Sequence, residues 1–268
     1  MKNPMYAALV AIGAVMFVSC EKHESAEQPK PAEAEKPVAM AEKPVAKTEK
    51  PAEKAEKPTK EKKGSGFVEL FNGKNLDGWT PSKENPDCYT VKDGILIVEG
   101  GRGHLFYSGE VNGANFKDFE LKVRAKTMPN SNSGVFFHTK YQDEGWPENG
   151  YEAQVNTSYK DPKKTGSLYG VENIIVLKEG QKEPKGGKNM IRDKAPSTDG
   201  EWFDYHIIVK GSQVEIKVDG KTTVKYTEPE GGPDSNFSGR RLSEGTFAIQ
   251  AHDADSVVHY ERFAVKPL

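Results

Sequence analysis

Residues 151–156 read Tyr-Glu-Ala-Gln-Val-Asn. On an extended strand successive side chains point to opposite faces, so Glu152, Gln154 and Asn156 share one face, opposite Tyr151, Ala153 and Val155. Two further runs repeat the theme. In residues 247–252 Ala248, Gln250 and His252 lie opposite Phe247 and Ile249, and in residues 134–138 Phe136 and His138 fall on one face with Val135 and Phe137 on the other. A face that merely meets solvent is the bland account, since one side of an antiparallel sheet is commonly wet. Such faces are usually built from Lys, Glu and Thr, whereas amides and imidazoles donate and accept at once, as the recognition of sugar hydroxyls requires. The candidate acid–base and polarising groups are Glu152, His138 and His252. Gln154, Asn156 and Gln250 are candidate substrate contacts, joined by Arg124 on the outward side of its own run. Trp146 and Tyr169, flanked by Gly and Pro, are the aromatic candidates for stacking on a sugar ring.

Imidazole with carboxylate suits several first-row ions, so His138, Glu152 and His252 on one face leave a divalent metal open. No HExxH or comparable spaced motif demands one. The chain has two cysteines, Cys20 and Cys88, too few for a disulfide framework or a thiolate zinc site. Cys88 reads as a small buried residue. His104, His206 and His259 fall outside the polar constellation and read as structural or surface histidines. A net charge of −2 offers no basic field, which argues against a nucleic-acid partner.

The elements that must position these groups are short runs separated by Gly, Asn, Asp and Pro. Candidate strands are 67–71, 88–91, 95–98, 119–126, 133–140, 151–156, 202–210, 213–218, 222–226, 245–252 and 257–265. Asp93-Gly94 and Asp219-Gly220 are two-residue hairpin signals. No stretch sustains a helical period with caps, so the expected architecture is all-β, a sandwich of two antiparallel sheets. The long connections 141–150, 158–194 and 227–243 are expected to form functional rims.

Residues 64–268 hold this pattern as one domain. Before it, an apolar run from Met5 to Val18 is too short to span a bilayer and fits the core of a signal peptide. Phe17-Val18-Ser19-Cys20 resembles a lipobox, so residues 1–20 are read as a lipoprotein signal peptide with Cys20 acylated; ordinary signal cleavage with Cys20 incidental is the alternative, and the mass of the mature chain separates them. Residues 21–63 repeat Glu-Lys-Pro every seven positions. Proline in each repeat breaks a helix and no large apolar residue fills a seam, so this segment is expected to be a disordered linker rather than a coiled coil. The expectation is an exported protein anchored to a membrane by lipid, periplasmic or at the cell surface.

Ordered motifs carry a resemblance. Leu70-Phe71-Asn72-Gly73-Lys74-Asn75-Leu76-Asp77-Gly78-Trp79, Asn132-Ser133-Gly134-Val135-Phe136-Phe137, Tyr151-Glu152-Ala153-Gln154, Gly166-Ser167-Leu168-Tyr169 and Gly200-Glu201-Trp202, with the closing run 245–252 and the final Pro267-Leu268, resemble the bacterial 3-keto-disaccharide hydrolase family across residues 67–268. The resemblance implies a concanavalin A-like jelly roll and a carbohydrate substrate oxidised at C3. A C3 ketone acidifies the C2 proton. One base, Glu152 or a histidine, can remove it, and the enolate can expel the glycosidic oxygen from C1; adding water makes the result a net hydrolysis. Two departures stand out: His138 occupies a position where many members have Arg, and Glu261-Arg262-Phe263 replaces a commoner basic residue, Asn and Ile. A non-catalytic, lectin-like carbohydrate-binding module is the alternative, because fold does not fix function.

Overall fold

A computed structural model describes residues 66–233 and 239–268. The signal, lipidation and linker readings of residues 1–63 lie outside the described residues. The described residues form fifteen strands in order: β1 Val68–Glu69, β2 Trp79–Pro81, β3 Tyr89–Lys92, β4 Ile95–Glu99, β5 Gly103–Tyr107, β6 Phe119–Thr127, β7 Asn132–Thr139, β8 Tyr151–Asn156, β9 Glu172–Ile175, β10 Lys188–Ile191, β11 Phe203–Lys210, β12 Gln213–Val218, β13 Lys221–Thr227, β14 Thr246–Ala251 and β15 Val257–Pro267. Two short 3₁₀ turns, Pro86–Cys88 and Val111–Ala114, are the helical elements among the described residues. None of these is long and apolar enough to cross a membrane.

Thirteen of these strands form two antiparallel sheets packed face to face; β9 and β10 pair separately. The larger runs β13-β12-β11-β6-β15-β4-β3, with β1 also paired to β15; the smaller runs β2-β5-β14-β7-β8. Both expected Asp-Gly hairpins form. Asp93 and Gly94 have φ of 53° and 82°, Asp219 and Gly220 have 48° and 73°, and the left-handed pair matches the twist of the flanking strands. Alternation in β6 puts Phe119, Leu121, Val123 and Ala125 inward. There Phe119 meets Phe137 and Phe247 of the smaller sheet edge-on, at 5.9 and 5.0 Å between ring centroids.

The outer faces differ sharply. On the larger sheet, side chains pair at the solvent boundary: Glu120 with Lys266 and with the His206 imidazole, and Arg124 with Asp204 and Glu261. On the smaller sheet β5, β7, β8 and β14 are buried on both faces. Loops therefore cover its outer face, and the polar residues there are enclosed.

Four strands were not expected from sequence: β2, β5, β9 and β10. β9 and β10 form a parallel pair inside the stretch 158–194 that reads as a connection. They are four residues each and interrupted by turns, so no period is long enough to register.

Candidate active site

Strand register assembles the site. Phe106 of β5 faces Ala248 of β14, which faces Phe136 of β7, which faces Glu152 of β8. One step along, His104 pairs with Gln250, and Gly134 with Gln154. Gly134 has an ordinary backbone and is glycine for space: a Cβ there would lie 2.3 Å from Glu152 Oε1 and 2.8 Å from its Cγ. The Glu152 side chain thus lies across the bare backbone of β7.

Glu152 is buried, 5% exposed. Gln250 Nε2 donates to Glu152 Oε1 at 3.3 Å. Gln154, oriented so that its amide nitrogen meets acceptors, donates to the same oxygen at 3.1 Å and to the Ser133 carbonyl at 2.9 Å. Burial penalises the charged carboxylate and raises its pKa to about 7, against the opposing pull of Arg240. A carboxyl poised there gains or loses a proton near neutrality, as a general base or acid must.

Across from Gln250, on β5, lies a residue that sequence reasoning set aside. His104 is fully buried, meets Phe136 and Trp146 edge-on at 5.4 and 5.7 Å, and has no hydrogen-bond partner on either ring nitrogen. Burial lowers its pKa to about 3, so the imidazole is neutral. The Oε1 of Gln250, its cross-strand neighbour, is also without a partner. Orphaned buried polar atoms cost about 1–3 kcal/mol each. Three of them sit at one cross-strand pair, an enclosed patch of unmet donors and acceptors joined to Glu152 through Gln250. Nothing local marked His104, because the run Gly103-His104-Leu105-Phe106-Tyr107 is buried on both faces and its alternation is masked.

Around this floor stand the rim residues. His252, just beyond β14, shares its Nδ1 with Asp253 Oδ2 at 2.7 Å, and Asp253 Oδ2 also accepts from Ser256 Oγ. The imidazole packs against Trp146 and Tyr159, at 5.3 and 5.2 Å. Tyr169 donates its hydroxyl to Asp161 and its backbone N–H to the Glu152 carbonyl, with the Lys163 ammonium 4.5 Å and the Arg240 guanidinium 5.4 Å from its ring centroid. Arg240, which donates to the Tyr169 carbonyl, brings a cation into the field of Glu152.

Asn156 shares the Glu152 face but is committed to structure. Its Nδ2 donates to the carbonyls of Asp161 and Lys163, and its Oδ1 accepts from the buried Lys164 ammonium. Lys164 donates as well to the carbonyls of Tyr159 and Asp161, both at 2.7 Å. These are neutral oxygens, and burial pushes the Lys164 pKa down to about 8. The ammonium thus forms the centre around which residues 156–164 are wound, and it fixes Tyr159 and Asp161 at the rim.

Two expected site residues lie elsewhere. His138 has φ of 56°, and β14 breaks register between Thr246 and Ala248 opposite it. The local left-handed turn reverses the alternation, so His138 joins Phe137 on the inner side and packs on Phe119 at 5.7 Å. Its Nδ1 accepts from the Ser243 N–H and its Nε2 faces the Lys117 carbonyl at 2.8 Å, a neutral imidazole joining two connections. Arg124 projects from the opposite sheet, held by Asp204 at 3.1 Å and Glu261 at 3.0 Å. With His138 turned inward, the candidate metal set of His138, Glu152 and His252 does not assemble. Among the described residues no three His, Cys, Asp or Glu side chains gather as metal ligands.

Comparison with known proteins follows the same outline. Residues 66–266 match the model of a family described as the 3-keto-alpha-glucoside-1,2-lyase-like domain. A 3-keto-disaccharide hydrolase of Bacteroides thetaiotaomicron is 26% identical over 143 residues, covering 51% of this chain and 48% of that protein, so the chain spans about half the length of this curated relative. Two crystal structures from Parabacteroides distasonis, provisionally assigned as glycosyl hydrolases, share the fold. One has a TM-score of 0.54 at 23% identity, over 76% of this chain and 94% of its own; the other has 0.51 at 20%, over 75% and 99%.

Proposed function

The chain belongs to the 3-keto-alpha-glucoside-1,2-lyase-like family, and on that footing we propose that the outer face of its smaller sheet cleaves glycosides oxidised at C3. The observation that carries this reading is the Glu152 carboxyl, poised near pH 7 among two amide donors, one of which, Gln250, pairs across the strands with a neutral histidine whose ring nitrogens have no protein partner. The name of the Bacteroides thetaiotaomicron relative supports the substrate class.

In this reading the ionised Glu152 takes the C2 proton, and the C2–H electrons pass into an enolate whose oxygen is the former C3 ketone. An N–H of neutral His104 is the donor for that oxygen, and a neutral donor is suited to it because it yields hydrogen-bond stabilisation without surrendering its proton early. When the enolate collapses back to the ketone, a C1–C2 double bond forms and the C1–O bond breaks. His252, oriented by Asp253, is the candidate that protonates the departing oxygen. Addition of water across the new double bond turns elimination into net hydrolysis. The free Oε1 of Gln250 is an acceptor for a sugar hydroxyl.

The test is incubation of the protein with 3-keto-glucosides and with the matching unoxidised glucosides, followed by mass spectrometry of the products. Cleavage confined to the keto sugars is expected. Equal cleavage of both would overturn the keto-sugar reading, and binding of sugars with no cleavage would replace it by a lectin-like module.

A further inference from the structure

One cluster next to the site takes no part in the chemistry above. Glu84 lies between β2 and β3 and Arg102 just before β5. Arg102 donates from Nε and Nη2 to Glu84 Oε1, at 2.8 and 2.5 Å. The second carboxylate oxygen, Oε2, accepts the Gly145 N–H at 3.0 Å. Gly145 immediately precedes Trp146, and the Arg102 guanidinium carbon lies 5.2 Å from the centroid of the Trp146 ring.

The same short segment grips on both sides. The N–H groups of Lys83 and Glu84 donate to the Asp143 carbonyl, and Lys83 Nζ pairs with the Asp143 carboxylate at 2.9 Å. Ser82, one residue earlier, exchanges two bonds with His104: its N–H donates to the His104 carbonyl at 2.7 Å and its Oγ accepts the His104 N–H at 3.0 Å. Residues 82–84 therefore link the backbone of His104 directly to the loop carrying Trp146. That loop is also tied within itself, Gln142 donating to the Glu144 and Trp146 carbonyls and accepting from the Glu148 N–H.

We infer that Glu84 and Arg102 are a positioning pair that sets Trp146 as one wall of the sugar pocket, at a fixed separation from His104 and His252. The inference rests on the reading of this face as a sugar site. Trp146 is 41% exposed yet touches both histidines, so its ring has a free face for a ligand only while the loop keeps its place. The pair is partly open to solvent, with side chains 39% and 20% exposed, and a solvent-screened ion pair contributes little to global stability. Its effect falls on local placement, where an ordered aromatic wall lowers the cost of ordering a ligand.

The test is Arg102→Met in the full chain, with Trp146→Phe as the reference, measured by steady-state kinetics on a 3-keto-glucoside and by thermal unfolding. Arg102→Met is expected to raise KM about ten-fold, to leave kcat within about two-fold and Tm within a few degrees, and to make Trp146 more accessible to acrylamide quenching, read as the quenching lost in Arg102→Met/Trp146→Phe. An unchanged KM with unchanged quenching would overturn the inference, as would a fall in kcat at constant KM. If the unsubstituted protein does not cleave the keto sugar, it is the functional reading that fails; the quenching arm still decides whether the pair holds Trp146.

Discussion

Glu152 destabilises the fold it serves. Its pKa is raised from 4.5 to about 7. Between those values the folded protein keeps a proton that the unfolded chain has released, so the stability contribution falls as pH rises through this window and the full cost persists above pH 7. That cost is on the order of 3 kcal/mol as an upper bound. Glu152→Gln keeps an oxygen for the Gln154 and Gln250 donors and removes the charge. Relative to the unsubstituted protein it should therefore gain stability from about pH 5 to pH 7 and hold that gain at higher pH, while losing at least about 100-fold in turnover. Denaturant unfolding at a series of pH values checks this, and parallel stability profiles would contradict it. His104, lowered to about 3, imposes the opposite slope between pH 3 and 6.5, but equally on both proteins, so it cancels from the difference.

At the scale of the element, β7 decides which side chains reach the site. Its bend at His138 needs room from two glycines: a Cβ on Gly150 would lie 2.1 Å from the Phe137 carbonyl oxygen, and one on Gly245 would lie 2.3 Å from that of Thr139. His138 then bolts the bend, and His138→Ala strands the Ser243 N–H and the Lys117 carbonyl. A loss of about 2–4 kcal/mol in unfolding free energy is expected, with turnover reduced far less than by Glu152→Gln; the reverse order would return His138 to the chemistry. This bend also marks where the sequence stops being readable. Strict alternation in residues 151–156 and 247–252 suffices to put Glu152, Gln154 and Gln250 on one face. The same rule misplaces His138, because a single left-handed residue inverts the period and no Gly or Asn stands there to announce it. β5 is missed for a different reason: a strand buried on both faces shows no polar alternation, and so His104 looks like an ordinary core residue. Arg124 is correctly read as outward on β6, but sequence does not say that outward there means the opposite surface of the molecule.

Across the whole molecule the division of labour follows the two sheets. The larger meets water with paired charges, which are worth little individually. The smaller hides amide, imidazole and carboxyl groups under loops, where hydrogen bonds are stronger and an unpaired atom is costly. The orphaned atoms of His104 and Gln250, the displaced pKa of Glu152 and the glycine beneath it all lie on that second face. They share one explanation if a sugar ketone is enolised there. The most direct measurement is the rate of cleavage of a 3-keto-glucoside carrying deuterium at C2, compared with the protium substrate under single-turnover conditions. A slower reaction of the deuterated sugar, abolished together with all cleavage in Glu152→Gln, is the predicted result. Equal rates for the two sugars, with Glu152→Gln still active, would contradict Glu152 as the base that takes the C2 proton.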